Sequence, residues 1–550
     1  MLPIDDEAAA DVPAYPHIPI QEILRQIKDH DAGPRKHVVI LGAGMAGLVA
    51  AYELQRLGHH VEILEASSRA GGRVWTHRFK DGSYNELGAM RVPVTHDYTH
   101  YYIDQMGLRP KLIPFINSTA QNFWDIRGIV CRKPDAPAQI YPHYKLSPYI
   151  RQHTSSGGEI FGWLQDTLIN TLTDAERVAM FAGRADTAYL QYLSTVSLGD
   201  FLNQNAGMDA KDVVGVFTSL DVWWDKALSM FLRDEMVGTG TDLTTLDGGL
   251  DQLPTALYAE VTPTVQLNLE VLSIRRAEGK VELQVRDARA GDGRPGEPRP
   301  KSCDYVLCTI PFSVLRRLDL VGFTNAKMSA VRGMTYANAT KVLLDCDRRF
   351  WQAPPYNIFG GSSISDRIQR QTYYPMNDLR AAAVEPEARL GASPRQRRLV
   401  QPELRQRRLV GIHTTAIEAQ SAVSSSAPPE SSEAPGALTG AYVWDQDARR
   451  LGVLSPDAAA GVVVENLRRI HPEIDRHVVD YALMDWETHR WHAGAFAFLR
   501  PGEIEQYFGT AIRPEGRVFF AGEHCSTDQG WIQGALIASL RAVDEIVSAG

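Results

Sequence analysis

The sequence predicts an α/β fold built on a parallel sheet, joined to an α+β region of mixed strands and to a helical region. Three observations carry this. A β-α-β unit of about thirty residues spans HVVILG (37–42), a helix-like stretch (45–57) and HVEILEA (60–66). A strand and an amphipathic helix, starting at RVFFAG (517–522), close the chain. Between them, strand-like runs alternate with a stretch at 141–240 rich in helix formers and aromatics.

Taken in order, residues 1–35 form an arm with one short amphipathic helix, Ile20 to Ile27. HVVILG is a short apolar run bounded by glycine, the pattern of a buried strand. Leu48, Ala51, Leu54 and Leu57 follow at near-helical spacing. Residues 141–240 read as mostly helical. Strands are expected at Val265–Leu269, Val281–Val285 and Tyr305–Thr309, with a Gly/Pro/charge-rich surface loop at 288–302. Further strands are expected at Lys341–Asp345 and Ala441–Trp444. The last helix carries apolar Ile532, Leu536, Leu540, Val543 and Val547. Residues 378–436 stand apart. They hold an imperfect repeat, RQRRLV at 395–400 and 405–410, then a Ser/Pro/Glu-rich run. The basic repeat could meet a polyanion or a membrane surface, but such a composition reads first as a solvated, flexible insertion open to proteolytic nicking.

The 550 residues allow three or four structural units at about 150 residues each. A hydrophobic fraction of 44% and a charged fraction of 22% are those of a soluble globular protein. The net charge of −9 argues against nucleic acid as a partner. Five cysteines, none at CxxC or zinc-ligand spacing, give no reason to expect a disulfide framework or a metal site. The first residues, MLPIDDEAAADVPAYP, lack the features of a secretory leader. The longest apolar stretch, Val38–Tyr52, contains three glycines and is too short for a membrane span. A cytoplasmic protein is expected.

The chemistry starts at Gly42-Ala43-Gly44-Met45-Ala46-Gly47, which follows a strand and opens a helix. In such a turn Gly42 permits the sharp bend, Gly44 lets a diphosphate approach, and Gly47 lets helix and strand pack closely. Ala46 sits in the first helical turn, whose free N–H groups and dipole attract phosphate. Glu65 ends the second strand 18 residues beyond Gly47 and can accept hydrogen bonds from a ribose, with Ala66 beside it. These residues imply a Rossmann-like dinucleotide site and leave NAD and FAD open.

Two further motifs resemble the flavin amine oxidase superfamily: Ala70-Gly71-Gly72-Arg73, directly after the acidic residue, and Phe519-Phe520-Ala521-Gly522-Glu523-His524 near the C-terminus. The resemblance implies FAD. It assigns Gly72, Arg73, Gly88, Ala89, Met90, Arg91, Val271, Gly522, Glu523, Trp531 and Ile532 to the cofactor, with Glu523 on its ribityl or diphosphate part. Motifs at both ends of the chain imply a discontinuous FAD domain (36–75, 245–335 and 510–550). A mixed-sheet substrate domain (76–140 and 336–509) and a helical domain (141–244) complete the organisation. The segment Trp491–Phe496 looks like the one that carries a flavin-linking cysteine in monoamine oxidases. It has no cysteine here, so a non-covalent FAD is expected.

Glu86-Leu87-Gly88-Ala89-Met90-Arg91 resembles the L-amino acid oxidase branch of that superfamily. A site that selects amino acids must neutralise a carboxylate, and an arginine does so with a planar fork of donors. The plainer reading is an arginine tied to a structural carboxylate or to phosphate. In this branch Tyr442 would help hold the substrate carboxylate, Trp444 would lie near its side chain, and Gly530-Trp531 would flank the flavin and substrate. Lys341 would assist reaction with oxygen by holding a water near the flavin. Without the resemblance, Tyr442 and Trp444 read as a core pair and Lys341 as a solvated edge residue. Trp223, Trp224, Arg233 and Asp234 are open candidates for the side-chain pocket. The implied activity is oxidation of an L-amino acid by O2 to a 2-oxo acid, ammonia and hydrogen peroxide, by a homo-oligomer, with a dimer expected. Rival readings are an amino acid monooxygenase yielding an amide, an amine or polyamine oxidase, and a flavin-free escort protein.

Overall fold

A computed structural model of the protein describes residues 18–30, 34–144, 168–206, 221–238, 242–289, 294–375 and 432–549. At its centre lies a five-stranded, fully parallel sheet in the order Val265–Gln266, His60–Leu64, His37–Leu41, Tyr305–Cys308, Val518–Phe520. The first strand in sequence is the middle one, so the chain changes direction across the sheet there. Crevices at the carboxyl ends of strands flanking such a switch point are where ligands bind in open α/β sheets. The helices Met45–Arg56 and Ile532–Ser548 pack against each other beside this sheet. The N-terminal helix Ile20–Asp29 buries Ile20, Ile23, Leu24 and Ile27, matching the expected apolar face.

The strand expected at Val265–Leu269 is two strands. Asn268 adopts φ +57°, a left-handed conformation that asparagine tolerates, and the chain leaves the parallel sheet there. Leu269–Ala277 then pairs antiparallel with Lys280–Asp287, which pairs with Arg299–Cys303. The end of the expected surface loop 288–302 is therefore a strand. It lies at the sheet edge, where the missing N–H of Pro300 costs no ladder bond.

A seven-stranded mixed sheet forms the second body, in the order Val478–Asp485, Ala339–Cys346, Gly436–Trp444, Gln371–Tyr373, Ser362–Ser365, Phe123–Ile126, Ile129–Arg132. The strands expected at 341–345 and 441–444 are its longer second and third members. The RQRRLV repeat and most of the 378–436 insertion lie outside the described residues. The insertion's expected end does not hold, because Gly436 already opens a buried strand. Gln371 and Tyr373 pair with Tyr442 and Thr439, so the strands on either side of the insertion are neighbours.

The expected helical region contains Asp174–Phe181, Ala188–Thr195, Leu198–Ala206 and Leu228–Val237 among its described residues. Thr173 and Glu176 form a reciprocal cap on the first of these. The region ends before its expected limit of 244, since Leu243–Leu246 is a strand pairing with Val92–Pro93 and Leu112–Phe115.

Candidate active site

The glycine turn lies where the sequence places it, between His37–Leu41 and the helix that begins at Met45. Gly42 has φ +104°, reserved in practice for glycine, and a Cβ on Gly47 would collide with the Gly42 carbonyl. Gly44 is the N-cap and no side chain caps it, which leaves first-turn N–H groups, Ala46 among them, for an anion. Glu65 accepts from the Ala43 N–H and the Ser67 N–H, both at 2.8 Å, one on each carboxylate oxygen. Each oxygen keeps a lone pair, the arrangement a ribose diol requires. Ala66 follows, half-buried.

The Gly71-Gly72 turn docks on the first turn through a Gly71 N–H to Ala43 C=O bond of 2.8 Å. Arg69, which has no motif to mark it in the sequence, fixes this turn. Its guanidinium donates to the carbonyls of Ala70, Gly72 and Val74 and stacks 3.8 Å over the Trp75 ring. Arg73 then makes the decisive link. Its Nη1 donates to Glu523 Oε1 at 2.7 Å and to the Ala495 carbonyl at 2.8 Å. Glu523 is buried and also accepts the N–H groups of Ala497 and Gly530 at 3.2 Å. The two end motifs, 450 residues apart in sequence, thus form one ion pair. Gly522 has φ +118° and Gly530 φ +83° on either side of it. Val271 is buried in its strand, and Ile532 is the first, buried residue of the last helix.

The segment Gly88-Ala89-Met90-Arg91 is hooked to the 73–75 turn by the Ala89 N–H to Arg73 C=O bond of 3.1 Å. It carries Arg91 toward the second sheet. Arg91 Nη1 donates to Asn117 Oδ1 at 2.6 Å, and the guanidinium carbon lies 5.9 Å from the ring centres of both Phe115 and Trp531. Among the described residues no carboxylate lies within ion-pair distance of Arg91. Asn117 was not foreseen.

Lys341 and Tyr442 stand directly opposite each other on paired strands, with Nζ 4.7 Å from the phenol ring centre. Trp444 shares that face, 5.4 Å from Tyr442, and touches Phe496 and Phe498. Lys341 is no solvated edge residue. It is buried and donates to the carbonyls of Glu86 (3.0 Å) and Gly88 (2.8 Å), with Met90 Sδ at 3.5 Å. Burial pushes the lysine well below its ordinary range, opposed by the carboxylate of Glu86. The same burial pushes Glu86 up, while Leu250 N–H and Thr76 Oγ1 donate to it. Burial likewise pushes the Tyr442 phenol up, with Arg91 opposing, so it stays protonated as a donor at neutral pH.

Trp531 is the last wall. Its indole N–H donates to Asp234 Oδ1 at 2.7 Å, and His96 meets the ring edge-on at 5.2 Å. A Cβ on Gly238 would come within 2.7 Å of the indole, so the bare backbone closes its other side. Of the four open candidates from the helical region, Asp234 reaches the site. Trp223 packs on Phe231 and Phe498, Trp224 lies against Gly199, and Arg233 lines a separate cavity. All five cysteines are free and buried. His37, His60 and Glu62 gather their ligand atoms within 4.8 Å, but at the amino ends of the strands and with Glu62 held by Lys301 at 2.7 Å.

The donor set fits a flavin dinucleotide: an uncapped helix start and two facing glycine turns for the diphosphate, and Glu65 for the ribose, with the buried Arg73–Glu523 pair beside them. Comparison with known proteins agrees. No helix among the described residues is long and apolar enough to cross a membrane. The chain is 32% identical over 541 residues to the flavin-dependent L-tryptophan oxidase RebO of Lentzea aerocolonigenes, covering 93% of this chain and 98% of that one. It is 28% identical to an L-amino-acid oxidase of Siganus canaliculatus, covering 93% and 85%. The fold superimposes on cyclohexylamine oxidase from Brevibacterium oxydans IH-35A with a TM-score of 0.66 at 16% identity, over 94% of this chain and 99% of that one. The model of flavin-containing amine oxidoreductases matches residues 45–547, which takes in the end of the first glycine turn, the whole of the second, Arg91, Lys341 and Glu523. With its end motifs joined in one ion pair and that match spanning nearly the whole chain, the protein belongs to the flavin-containing amine oxidoreductase family.

Proposed function

We propose that the protein is an FAD-dependent L-amino acid oxidase, yielding a 2-oxo acid, ammonia and hydrogen peroxide. One observation carries this reading: among the described residues Arg91 has no carboxylate partner, and it stands beside Tyr442's strand and Trp531, oriented by Asn117. An arginine so placed suits a substrate carboxylate and leaves simple amines facing an unpaired cation. Curated relatives named L-amino-acid oxidase and L-tryptophan oxidase support it.

On this reading Glu65, the glycine turns, Arg73 and Glu523 hold FAD. FAD bound there would supply the redox chemistry, two electrons and a proton leaving the substrate as a hydride and reaching O2. Arg91 and Tyr442 orient the carboxylate, and the protonated phenol donates without adding a second negative charge. Trp531 and Trp444, with Phe115, Phe496 and Phe498, exclude water and favour the neutral amine that oxidation requires. These rings also suit a flat aromatic side chain, as on tryptophan. Lys341 supplies positive charge where oxygen becomes anionic.

The test is a product assay across the L-amino acids, with D-isomers as controls. A 2-oxo acid, ammonia and peroxide in equal amounts are expected, with aromatic substrates preferred. An amide with loss of carbon dioxide would replace the oxidase by a monooxygenase. Activity on amines but not amino acids would remove Arg91 from its role.

A further inference from the structure

A second polar cavity lies outside the site just described. It is small, with a volume of about 10 Å³ that leaves room for one occupant close to a water in size, and is bounded by the helices Asp174–Phe181, Ala188–Thr195 and Leu228–Val237 and by Ile504 and Glu505. Ser229 and Arg233 line it from one helix face, four residues apart. Arg233 is 3% exposed, and neither its Nε nor its Nη2 has a hydrogen-bond partner. The Ser229 hydroxyl, also buried, has none either.

A buried guanidinium without acceptors costs several kcal/mol. Burial lowers Arg233 only to about 10, so it remains a cation at neutral pH. The carboxylates whose fields reach it, Asp528 and Glu505, accept no hydrogen bond from it. The other polar groups in the lining are already engaged: Arg184 with Asp186 at 3.2 Å, and the Ser194 hydroxyl with the Gln191 carbonyl at 3.0 Å. Donors without acceptors, one of them charged, select an anion. The remaining walls are Met180, Ala185, Leu190 and Ile504, and the exposed Glu505 at the rim repels a second negative charge.

We propose that this cavity is a binding site for a small monovalent anion of halide size, held by the Arg233 guanidinium and the Ser229 hydroxyl. The site is independent of the substrate reading. It abuts the active site through consecutive residues, because Asp234, next to Arg233, holds the Trp531 indole.

The experiment uses the FAD-loaded enzyme, titrated with sodium bromide against sodium gluconate at constant ionic strength, with Tm as the readout. A ligand of the folded state alone raises Tm with concentration. The expected result is a rise specific to bromide. Ser229→Ala should shift the bromide concentration giving half that rise upward by about tenfold, the loss of one hydrogen bond to a charged group. Arg233→Met should abolish the rise. Equal Tm in both salts, the outcome if water fills the cavity, overturns the proposal. So does a bromide response unchanged in Ser229→Ala, a variant that keeps the buried cation and so decides the matter if Arg233→Met fails to fold. Crystals grown in bromide should show an anomalous peak beside the Arg233 guanidinium, and peaks elsewhere only would also overturn it.

Discussion

Replacing Arg91 by leucine isolates the recognition of the carboxylate. Of the five N–H donors on a guanidinium, Arg91 uses one nitrogen on Asn117, at 2.6 Å. The rest can meet a carboxylate in two-pronged fashion. A hydrogen bond to a charged group contributes about 1.5–3 kcal/mol, which at about 1.4 kcal/mol per decade is roughly 10- to 150-fold in KM. The upper half of that range is expected. Arg91→Leu leaves the substrate carboxylate among Phe115, Trp531 and Tyr442, with only the phenol and the amide of Asn117 to replace the charge. The assay is steady-state peroxide formation alongside the inhibition constant of a simple aromatic carboxylate lacking an amine. Both should rise by the same factor, while the flavin absorbance per protein stays that of the wild type. A KM within twofold of the wild type, with flavin retained, would remove Arg91 from substrate recognition. A loss of flavin would assign it to the cofactor instead.

Three more outcomes are expected. Asp234→Ala frees the Trp531 indole, whose N–H bond is 2.7 Å long. Asp234 is only half-buried, so kcat/KM should fall about tenfold, near the low end for a charged hydrogen bond, and more for aromatic than for aliphatic substrates; an equal loss on both would mean Trp531 does not line the side-chain pocket. Burial pulls Lys341 well below its ordinary range, against the opposing carboxyl of Glu86, so its ammonium gives way to the neutral amine at a lower pH than in a free lysine. Reoxidation of the reduced enzyme by oxygen should therefore slow as pH rises through neutrality, and Lys341→Met should lose that pH limb; the same limb in both proteins would place the titration elsewhere. Glu523→Gln keeps the shape but leaves Arg73 facing a neutral amide, so FAD should dissociate about tenfold more readily, as measured by flavin fluorescence on dilution. An unchanged affinity would make the Arg73–Glu523 pair purely structural.

What the sequence made legible follows from how local each signal is. The Gly42–Gly47 turn, Glu65 and the expected first strands and helix are encoded within thirty residues, and all lie as expected. The closing strand and its Glu523 were legible because they form a motif of their own. Tyr442 and Trp444 could be placed on one face from strand alternation alone. Asn117 left no signal, and Asp234 stood only as one of four open candidates. Asn117 reaches Arg91 across 26 residues, and Asp234 meets Trp531 across 297. Arg69 was hidden for another reason: it stabilises a recognised turn by donating to carbonyls, which leaves no residue-type pattern. Lys341 looked like an edge lysine because no local feature reveals that its strand is second of seven and flanked on both sides. The break at Asn268 and the strand at Arg299–Cys303 were misread because propensity there yields to pairing with a neighbour.

The ion pair between Arg73 and Glu523 also imposes an order on the protein's synthesis. A nascent chain presents both glycine turns early, and four of the five strands of the parallel sheet by Cys308, but the fifth strand and the anchoring carboxylate emerge only after the second sheet has been made. Until then Arg73 is an unmatched cation and the sheet an open edge at Tyr305–Cys308. An unfinished or C-terminally truncated chain is thus a poor holder of flavin. A protein whose proposed product is peroxide gains its redox group only after Glu523 has been made.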